Sequence, residues 1–216
     1  MASGLALDVS GAFDNVDHTR VVHDLRKRQV PEEIIGWIVS FLSNRRTSIV
    51  LLEGNMGEFT INTGIPQGSP LSPILFLFFN ADLIEQIRAE CPDVFVIGYI
   101  DDVFMMAFGS SAAANCRTLT QAHQVAERWE RTHASKFAPA KYQLAHFWRK
   151  HQSVPKPRGR LDVPLTIKGI EVEAKDSIKY LGVLLDTHLT GEAHVRQMRK
   201  KAAKLVAGLS SIAGST

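Results

Sequence analysis

Apolar and polar residues follow two recurring patterns along the chain: short β-branched or aromatic runs, and longer segments with helical periodicity. The clearest short runs are 94–100 and 103–108, which flank the polar pair Asp101 and Asp102. β-branched and aromatic residues favour extended chain, so these runs predict two paired strands with the aspartates at the hairpin tip. Charged groups at the end of buried strands are costly unless a cation lies beside them.

The remaining segments predict helices interleaved with strands. Helices are predicted at His18 to Gln29, at Pro31 to Leu42, from the loop before Ile74 to about Glu90, at Ala112 to His133, and in the basic C-terminal segment. Strands are predicted at 5–9, 143–148, 165–174 and 178–185, with a further hairpin of Arg46 to Glu53 and Glu58 to Asn62 joined across 54–57. This order predicts an α+β fold in which helices cover one face of an antiparallel sheet.

A third carboxylate, Asp8, ends the apolar run Leu5 to Leu7. If the fold brings Asp8 beside Asp101 and Asp102, the three side chains supply the oxygen ligands that two Mg²⁺ ions prefer. An isolated Asp-Asp pair is more often the cap of a solvated turn, and at this point that alternative stays open.

A segment rich in glycine and proline, Thr63 to Pro73, lies between the two carboxylate sites and precedes the apolar run Ile74 to Phe79. A glycine-containing loop before a helix offers free backbone N–H groups, so this segment is suited to bind phosphates or a nucleotide edge.

Composition indicates a globular chain, because 216 residues with 45% hydrophobic content can bury a core as one large domain or a domain with an appendage. The longest apolar run, Ile74 to Phe79, is far shorter than the ~20 residues that span a bilayer, so no membrane partner is expected. Cys91 and Cys116 are too few for a zinc site and indicate free thiols. Without a recognisable signal peptide, an intracellular protein, nuclear or cytoplasmic and not secreted, is expected.

The net charge is only +3, but the segment from His188 onward carries five basic residues and a single acid, Glu192. On a helix, such cations can follow a phosphate backbone, although a solvated charged face is the more ordinary interpretation. A second basic stretch, 149–160, contains proline and glycine and is interpreted as a flexible connection.

Five segments, in this order, resemble the motifs of reverse transcriptases, and nearly the whole chain is similar to the palm of enzymes encoded by non-LTR retrotransposons of the fungal kind. The segments are Leu7 to Val16, Gly64 to Pro70, Tyr99 to Asp102, Phe137 to Lys141 and Ile178 to Val183. The resemblance implies an RNA-directed DNA polymerase that takes an RNA template, a DNA primer and dNTPs. It also implies that the open face of the sheet receives the duplex.

The resemblance assigns a role to individual residues. Two Mg²⁺ ions, with Mn²⁺ as a substitute, are expected on Asp8, the Val9 carbonyl, Asp101 and Asp102, with Asp101 the more direct ligand of the hairpin pair. Lys141 is expected as a proton donor or fixed positive charge. Phe13 is expected under the incoming sugar, where it excludes a 2′ hydroxyl, and Gln67 and Gly68 near the nucleotide. Primer and template contacts are expected at Tyr99, Leu181, Gly182, Arg196, Arg199, Lys200 and Lys204.

Simpler roles remain open for several of these side chains. Phe13 can be a core aromatic, Gln67 a loop residue with local hydrogen bonds, Tyr99 a residue packed at the hairpin edge and Lys141 a solvated cation.

The domain boundaries are expected at 1–186 for the palm and 187–216 for the beginning of a basic helical thumb, with the fingers largely absent. The alternative function is a catalytically inactive retrotransposon fragment or nucleic-acid-binding relic, and an RNA polymerase is disfavoured by Phe13. The sequence leaves the copied RNA, the mode of priming and the oligomeric state open.

Overall fold

A computed structural model of the chain describes residues 1–51, 54–148 and 159–213. The helices are α1 (His18–Lys27), α2 (Glu32–Leu42), α3 (Leu71–Glu90), α4 (Ala112–His133) and α5 (Glu192–Ala213), with a 3-10 turn at Pro139–Lys141. The strands are β1 (Ala2–Asp8), β2 (Arg45–Leu51), β3 (Gly54–Ile61), β4 (Val94–Tyr99), β5 (Asp102–Phe108), β6 (Gln143–Phe147), β7 (Leu165–Ile167), β8 (Ile170–Val172), β9 (Ser177–Tyr180) and β10 (Val183–Asp186). The predicted α+β fold class is confirmed.

The central element is a four-stranded antiparallel sheet with the order β4-β5-β1-β6. Side chains alternate between its two faces, as the strand period of two requires. On one face, Leu5, Leu7 and Met105 are buried in the main core. Helices α3 and α4 cover this face, where the rings of Phe79 and Trp129 meet edge to face with their centroids 5.5 Å apart.

The opposite face is covered over part of its area only. The β9–β10 hairpin packs on it near β6, where Tyr180 stacks on Phe104 with ring centroids 5.0 Å apart. Gly4 of β1 leaves space for these rings, since a Cβ at Gly4 would lie 2.5 Å from the Phe104 ring. Over β4 the face is open, and Phe95 and Tyr99 are more than half exposed.

A buried group of charges attaches α1 to α3. The Asp82 carboxylate of α3 accepts hydrogen bonds from Arg20 at 3.2 Å, from Lys27 at 2.9 Å and from Arg28 at 2.7 Å. Burial alone would raise the pKa of Asp82, but the hydrogen bonds from Lys27 and Arg28 outweigh it and hold the pKa below its usual range. Asp24, also buried, accepts a further contact from Arg20 at 3.1 Å. Three cations thus balance two buried carboxylates.

The structure corrects some predicted boundaries. The predicted connection 54–57 lies inside β3, because Gly54 already pairs with Leu51 of β2. The glycine at 57 has φ +95, but it lies in a strand and not in a turn. The pairing of β2 with β3 shifts register opposite residues 48–50, and the positive φ accommodates this irregularity. The predicted strands 165–174 and 178–185 are hairpins, β7–β8 and β9–β10.

The predicted flexible connection falls mainly on 149–158, which lies outside the described residues. Among the described helices, none is long and apolar enough to cross a bilayer.

We expect the Asp82→Asn variant to lower the free energy of unfolding by roughly 2–4 kcal/mol, because it leaves three cations around a neutral amide while two of them keep partial access to water. Urea denaturation at pH 7 measures this loss. The difference from wild type should shrink as the pH falls below ~3.9, because a carboxylate with a lowered pKa contributes stability only while it is ionised. Asp93→Asn, at an exposed acid after α3, is the control and should change stability by less than ~0.5 kcal/mol. An equal loss in both variants would contradict the assignment.

Candidate metal and nucleotide site

The sheet register brings the predicted carboxylates together. Asp8, the last residue of β1, pairs with Asp102, the first residue of β5, and Tyr99 of β4 pairs with Asp102 from the other side. Paired residues of an antiparallel sheet lie on the same face with Cβ atoms ~4.5–5.5 Å apart. The Asp8 and Asp102 carboxylates therefore project side by side from the open face of the sheet.

Asp101 lies in the two-residue turn between β4 and β5, directly after Ile100. Ile100 has φ +55, which is strained for a β-branched residue. Its carbonyl accepts a hydrogen bond from the buried Asn80 side chain of α3 at 3.0 Å. The turn is therefore held in a strained conformation by the helix behind it, at the point where Asp101 joins the other two carboxylates.

The charges of the three carboxylates favour the binding of a cation. Burial, the Asp101 carboxylate and the Asp8 carboxylate raise the pKa of Asp102, and the Lys179 ammonium only partly opposes them. On the other side, the Lys141 ammonium donates a hydrogen bond to Asp8 at 3.1 Å. The β1–β6 register explains this contact, because continuing it beyond the Ala6–Gln143 pair brings Lys141 opposite Asp8.

The Val9 backbone is oriented toward the same cluster. The Ser10 N–H donates to the Lys136 carbonyl at 2.8 Å, and the Ala138 N–H donates to the Asp8 carbonyl at 3.0 Å. These two bonds flank the Val9–Phe137 bridge, so the Val9 carbonyl points away from this segment, toward β5. This direction agrees with the ligand role expected for the Val9 carbonyl.

A second group of residues lies beyond the end of β1. The Phe13 ring is half-buried and packs on Phe76 of α3 with ring centroids 5.5 Å apart. The Ile65 N–H donates to the Phe13 carbonyl at 2.8 Å, so the glycine-containing loop is attached directly to this segment. Gln67 is exposed and donates from Nε2 to Asp14 at 3.0 Å. The structure thus shows the local hydrogen bond for Gln67, which lies on the loop, and a contact with the core for Phe13, which lies beside the loop.

The other expected contacts are distributed around this region. Gly68 is exposed, with φ +88, and Tyr99 is 57% exposed on the open face. Leu181 and Gly182 form the β9–β10 turn, with φ +46 and +83. This pattern is typical of a two-residue type I′ hairpin.

The basic residues of α5 are not brought to the carboxylates by any described contact. Arg196 and Arg199 line an open cleft of about 410 Å³ with Thr190 and Gly191 at the start of the helix. Lys200 and Lys204 are exposed further along it, and the helix itself contacts β10.

Sequence reasoning missed two residues of the site, Lys179 and Tyr180. Lys179 affects the pKa of Asp102, and burial together with Asp102 raises the pKa of the Tyr180 hydroxyl. Both residues lie inside the segment 178–183 that resembles a hairpin motif, and their place in that motif is the sequence signal that could have identified them.

Another acidic group does not have the character of a metal site. Asp24, Asp82 and His133 are buried and bring one ligand atom each within 4.8 Å of one another. Arg20, Lys27 and Arg28 already contact these carboxylates. The group is therefore a closed ion-pair network, whereas the cluster at Asp8 is open.

Comparison with known proteins extends these observations. The family model described as reverse transcriptase (RNA-dependent DNA polymerase) matches residues 2–185. The chain is 28% identical over 213 residues to a probable RNA-directed DNA polymerase from transposon X-element of Drosophila melanogaster, which covers 95% of this chain and 22% of the relative. It is 26% identical over 215 residues to the RNA-directed DNA polymerase from mobile element jockey of the same species, again over 22% of that protein.

The chain therefore spans only about a fifth of the length of these relatives. Both come from an insect, so the fungal kind of element remains a prediction. Among solved structures, telomerase from Candida albicans, in complex with a fragment of telomeric RNA, superimposes with a TM-score of 0.58. This match covers 88% of the chain and 31% of the telomerase chain at 13% identity, and supports the fold.

Replacing Asp102 by Asn in metal-free buffer is expected to raise the midpoint of thermal unfolding slightly, corresponding to less than ~1 kcal/mol because solvent screens this exposed site. The reason is that a raised carboxyl pKa means that the ionised form is disfavoured in the folded protein. The stabilisation over wild type should grow as the pH rises from ~4 to 7 and disappear at lower pH, where Asp102 is protonated anyway. Differential scanning fluorimetry in EDTA measures it, with Asp93→Asn as the exposed control. A lower midpoint for Asp102→Asn than for Asp93→Asn would contradict the proximity of the three carboxylates.

Proposed function

The chain belongs to the reverse transcriptase (RNA-dependent DNA polymerase) family, and we propose that it forms the palm of an RNA-directed DNA polymerase encoded by a non-LTR retrotransposon. The observation that supports this most directly is the meeting of Asp8, Asp101 and Asp102 at one end of the sheet, beside the loop attached to Phe13. In this proposal residues 1–186 are the palm and 187–216 begin the thumb.

The residues present fit two divalent metal ions. Asp8, Asp101 and Asp102 offer only hard oxygen ligands, and the Val9 carbonyl points to their side of β1. Burial, together with the Asp101 and Asp8 carboxylates, raises the pKa of Asp102. Carboxylate and carbonyl oxygens suit Mg²⁺, and Mn²⁺ accepts the same ligands. When bound, the metal ions would lower the pKa of the primer 3′ hydroxyl and neutralise charge on the leaving pyrophosphate.

The chain's own residues would orient the incoming dNTP. In the proposed arrangement Phe13 lies under the sugar, where its ring leaves no room for a 2′ hydroxyl. Gln67 and Gly68 are exposed on the loop that contacts the Phe13 segment, and both are available to a base or a phosphate. Positioning of this kind is the main way in which a polymerase site can contribute beyond the metals.

Lys141 would change partner during the reaction. Without nucleotide, its ammonium donates to Asp8 at 3.1 Å. If Asp8 held a cation through this oxygen, Lys141 would be free to turn toward the pyrophosphate, where it would act as a proton donor or a fixed positive charge. The 3-10 turn that carries Lys141 is held from beneath, because the buried Tyr142 hydroxyl bonds His123 at 2.9 Å.

The open face of the sheet and the adjoining hairpin would receive the RNA template and DNA primer. Tyr99 pairs with Asp102, and Leu181 and Gly182 directly follow Tyr180, whose hydroxyl pKa is affected by Asp102. In the proposed arrangement these three residues would support the primer end. Arg196, Arg199, Lys200 and Lys204 would contact phosphates of the duplex through α5. Each such contact releases counterions, so binding is expected to weaken as salt rises.

A catalytically inactive, nucleic-acid-binding fragment is the second candidate. The presence of all three carboxylates, Asp8, Asp101 and Asp102, argues against it. Both candidates predict salt-dependent duplex binding, whereas only a polymerase predicts product.

We expect the chain to extend a DNA primer on an RNA template in the presence of Mg²⁺ and dNTPs. The Asp101→Asn, Asp102→Asn double variant should lose at least ~10²-fold in rate, because the Lewis-acid contribution of the metals is worth several kcal/mol. Asp93→Asn is the matched control and should retain the wild-type rate. Product that does not depend on Asp101 and Asp102 would contradict the assigned site. Duplex binding without any product would favour the inactive fragment.

A further inference from the structure

One backbone carbonyl beside the site receives two side-chain donors from separate elements. The Gly64 carbonyl lies 2.7 Å from Nε2 of His18, the first residue of α1. It also accepts a hydrogen bond at 2.6 Å from Nη1 of Arg45, the first residue of β2. Because Gly64 is buried, water does not reach its carbonyl, and the two side chains supply the hydrogen bonds that water would otherwise make.

Gly64 also attaches the loop to the Phe13 segment. Its N–H donates to the Val16 carbonyl at 2.8 Å, and the next N–H, of Ile65, donates to the Phe13 carbonyl. Gly64 has φ +75, and a Cβ there would lie 2.6 Å from the Asp14 carbonyl oxygen. The loop and residues 13–16 are therefore packed backbone against backbone.

The first donor is itself held in place. Arg20, two residues after His18 on α1, contacts Asp82 at 3.2 Å and Asp24 at 3.1 Å. The buried charges thus anchor the beginning of α1, and His18 extends from that anchor to Gly64. Arg45 approaches from the β2–β3 hairpin, which pairs with none of the strands of the four-stranded sheet.

We propose that His18 and Arg45 are positioning residues that set the discrimination between deoxyribonucleotides and ribonucleotides. They hold the Gly64 carbonyl, which fixes the loop against the Phe13 segment and so fixes the height of the Phe13 ring under the sugar. The inference rests on the proposed polymerase function. Asp8 and Asp102 are held independently by the β1–β5 register, and the turn that carries Asp101 is held by Asn80, so the chemical step is spared.

The test compares His18→Ala and His18→Gln in primer extension with dNTPs and rNTPs. His18→Ala should raise KM for dNTP ~10-fold and reduce the preference for dNTP over rNTP ~10-fold, with kcat changed less than ~3-fold, because a buried acceptor loses one donor. His18→Gln keeps an N–H donor and should recover most of the preference. Phe13→Ala provides the reference for full loss of sugar selection.

Arg45→Ala should show the same pattern, and Arg46→Ala is its matched control. Arg46 is the neighbouring arginine of β2 and pairs with the exposed Glu58 at 3.0 Å. A loss of kcat with unchanged sugar preference, or an equal effect of Arg46→Ala, would overturn the inference.

Hydrogen exchange separates this inference from the proposed function. His18→Ala should speed amide exchange at Gly64 and Ile65, whose N–H groups bond the Val16 and Phe13 carbonyls, while leaving β1 and β5 protected. If the wild-type chain makes no product but His18→Ala still speeds this exchange, the polymerase function is rejected and the positioning of the loop is retained. Unchanged exchange at Gly64 and Ile65 would reject the inference whatever the activity.

Discussion

The antiparallel register between β1 and β5 is the constraint on which the rest of the structure depends. It pairs Asp8 with Asp102 and places both on the face opposite α3 and α4. A slip of one residue would turn Asp8 toward the apolar core and bring Leu7 to the open face. Because Leu5, Leu7 and Met105 are buried on the helix face, the hydrophobic core fixes this register and thereby fixes the geometry of the acidic site. The same alternation of side chains along β1 and β5 therefore specifies both the packing of the core and the position of the acidic residues.

The chain contains two groups of acids, and the source of their counter-charge distinguishes them. At Asp24 and Asp82 the protein supplies two cations from α1 and a third, Arg28, from the residue after it; the carboxylates are buried and the network is closed. At Asp8, Asp101 and Asp102 the cations found among the described residues are Lys141 and Lys179, at the edges of the cluster, and the pKa of Asp102 stays raised. A carboxyl group whose pKa is raised by burial and by neighbouring carboxylates is characteristic of functional sites, and a divalent cation would neutralise the charge of this cluster. The closed network holds α1 against α3, whereas the open cluster is available for catalysis.

Local patterns in the sequence predicted most of the element order and the fold class, because alternation, helical periodicity and turn residues are properties of neighbouring positions. The meeting of Asp8 with Asp101 and Asp102 was conditional on the sheet order, and the resemblance to reverse transcriptases supplied that condition. The β2–β3 connection was predicted wrongly because the glycine at 57 has the same signature in a bulged strand as in a turn. The contacts of His18 and Arg45 with Gly64 span 46 and 19 positions, and nothing in the local pattern encodes them. The same holds for the contact of Lys141 with Asp8, which only the register of β6 explains.

The location of bound Mn²⁺ tests most directly the claim that the open carboxylate cluster is the metal centre. Anomalous diffraction from crystals grown with Mn²⁺, a DNA–RNA primer-template and a non-hydrolysable dNTP measures the ion positions independently of catalysis. Two peaks bounded by the carboxylates of Asp8, Asp101 and Asp102, with Lys141 displaced from Asp8, are expected. Peaks between Asp24, Asp82 and His133 instead, or no peak beside Asp8 while nucleotide is bound, would contradict the claim.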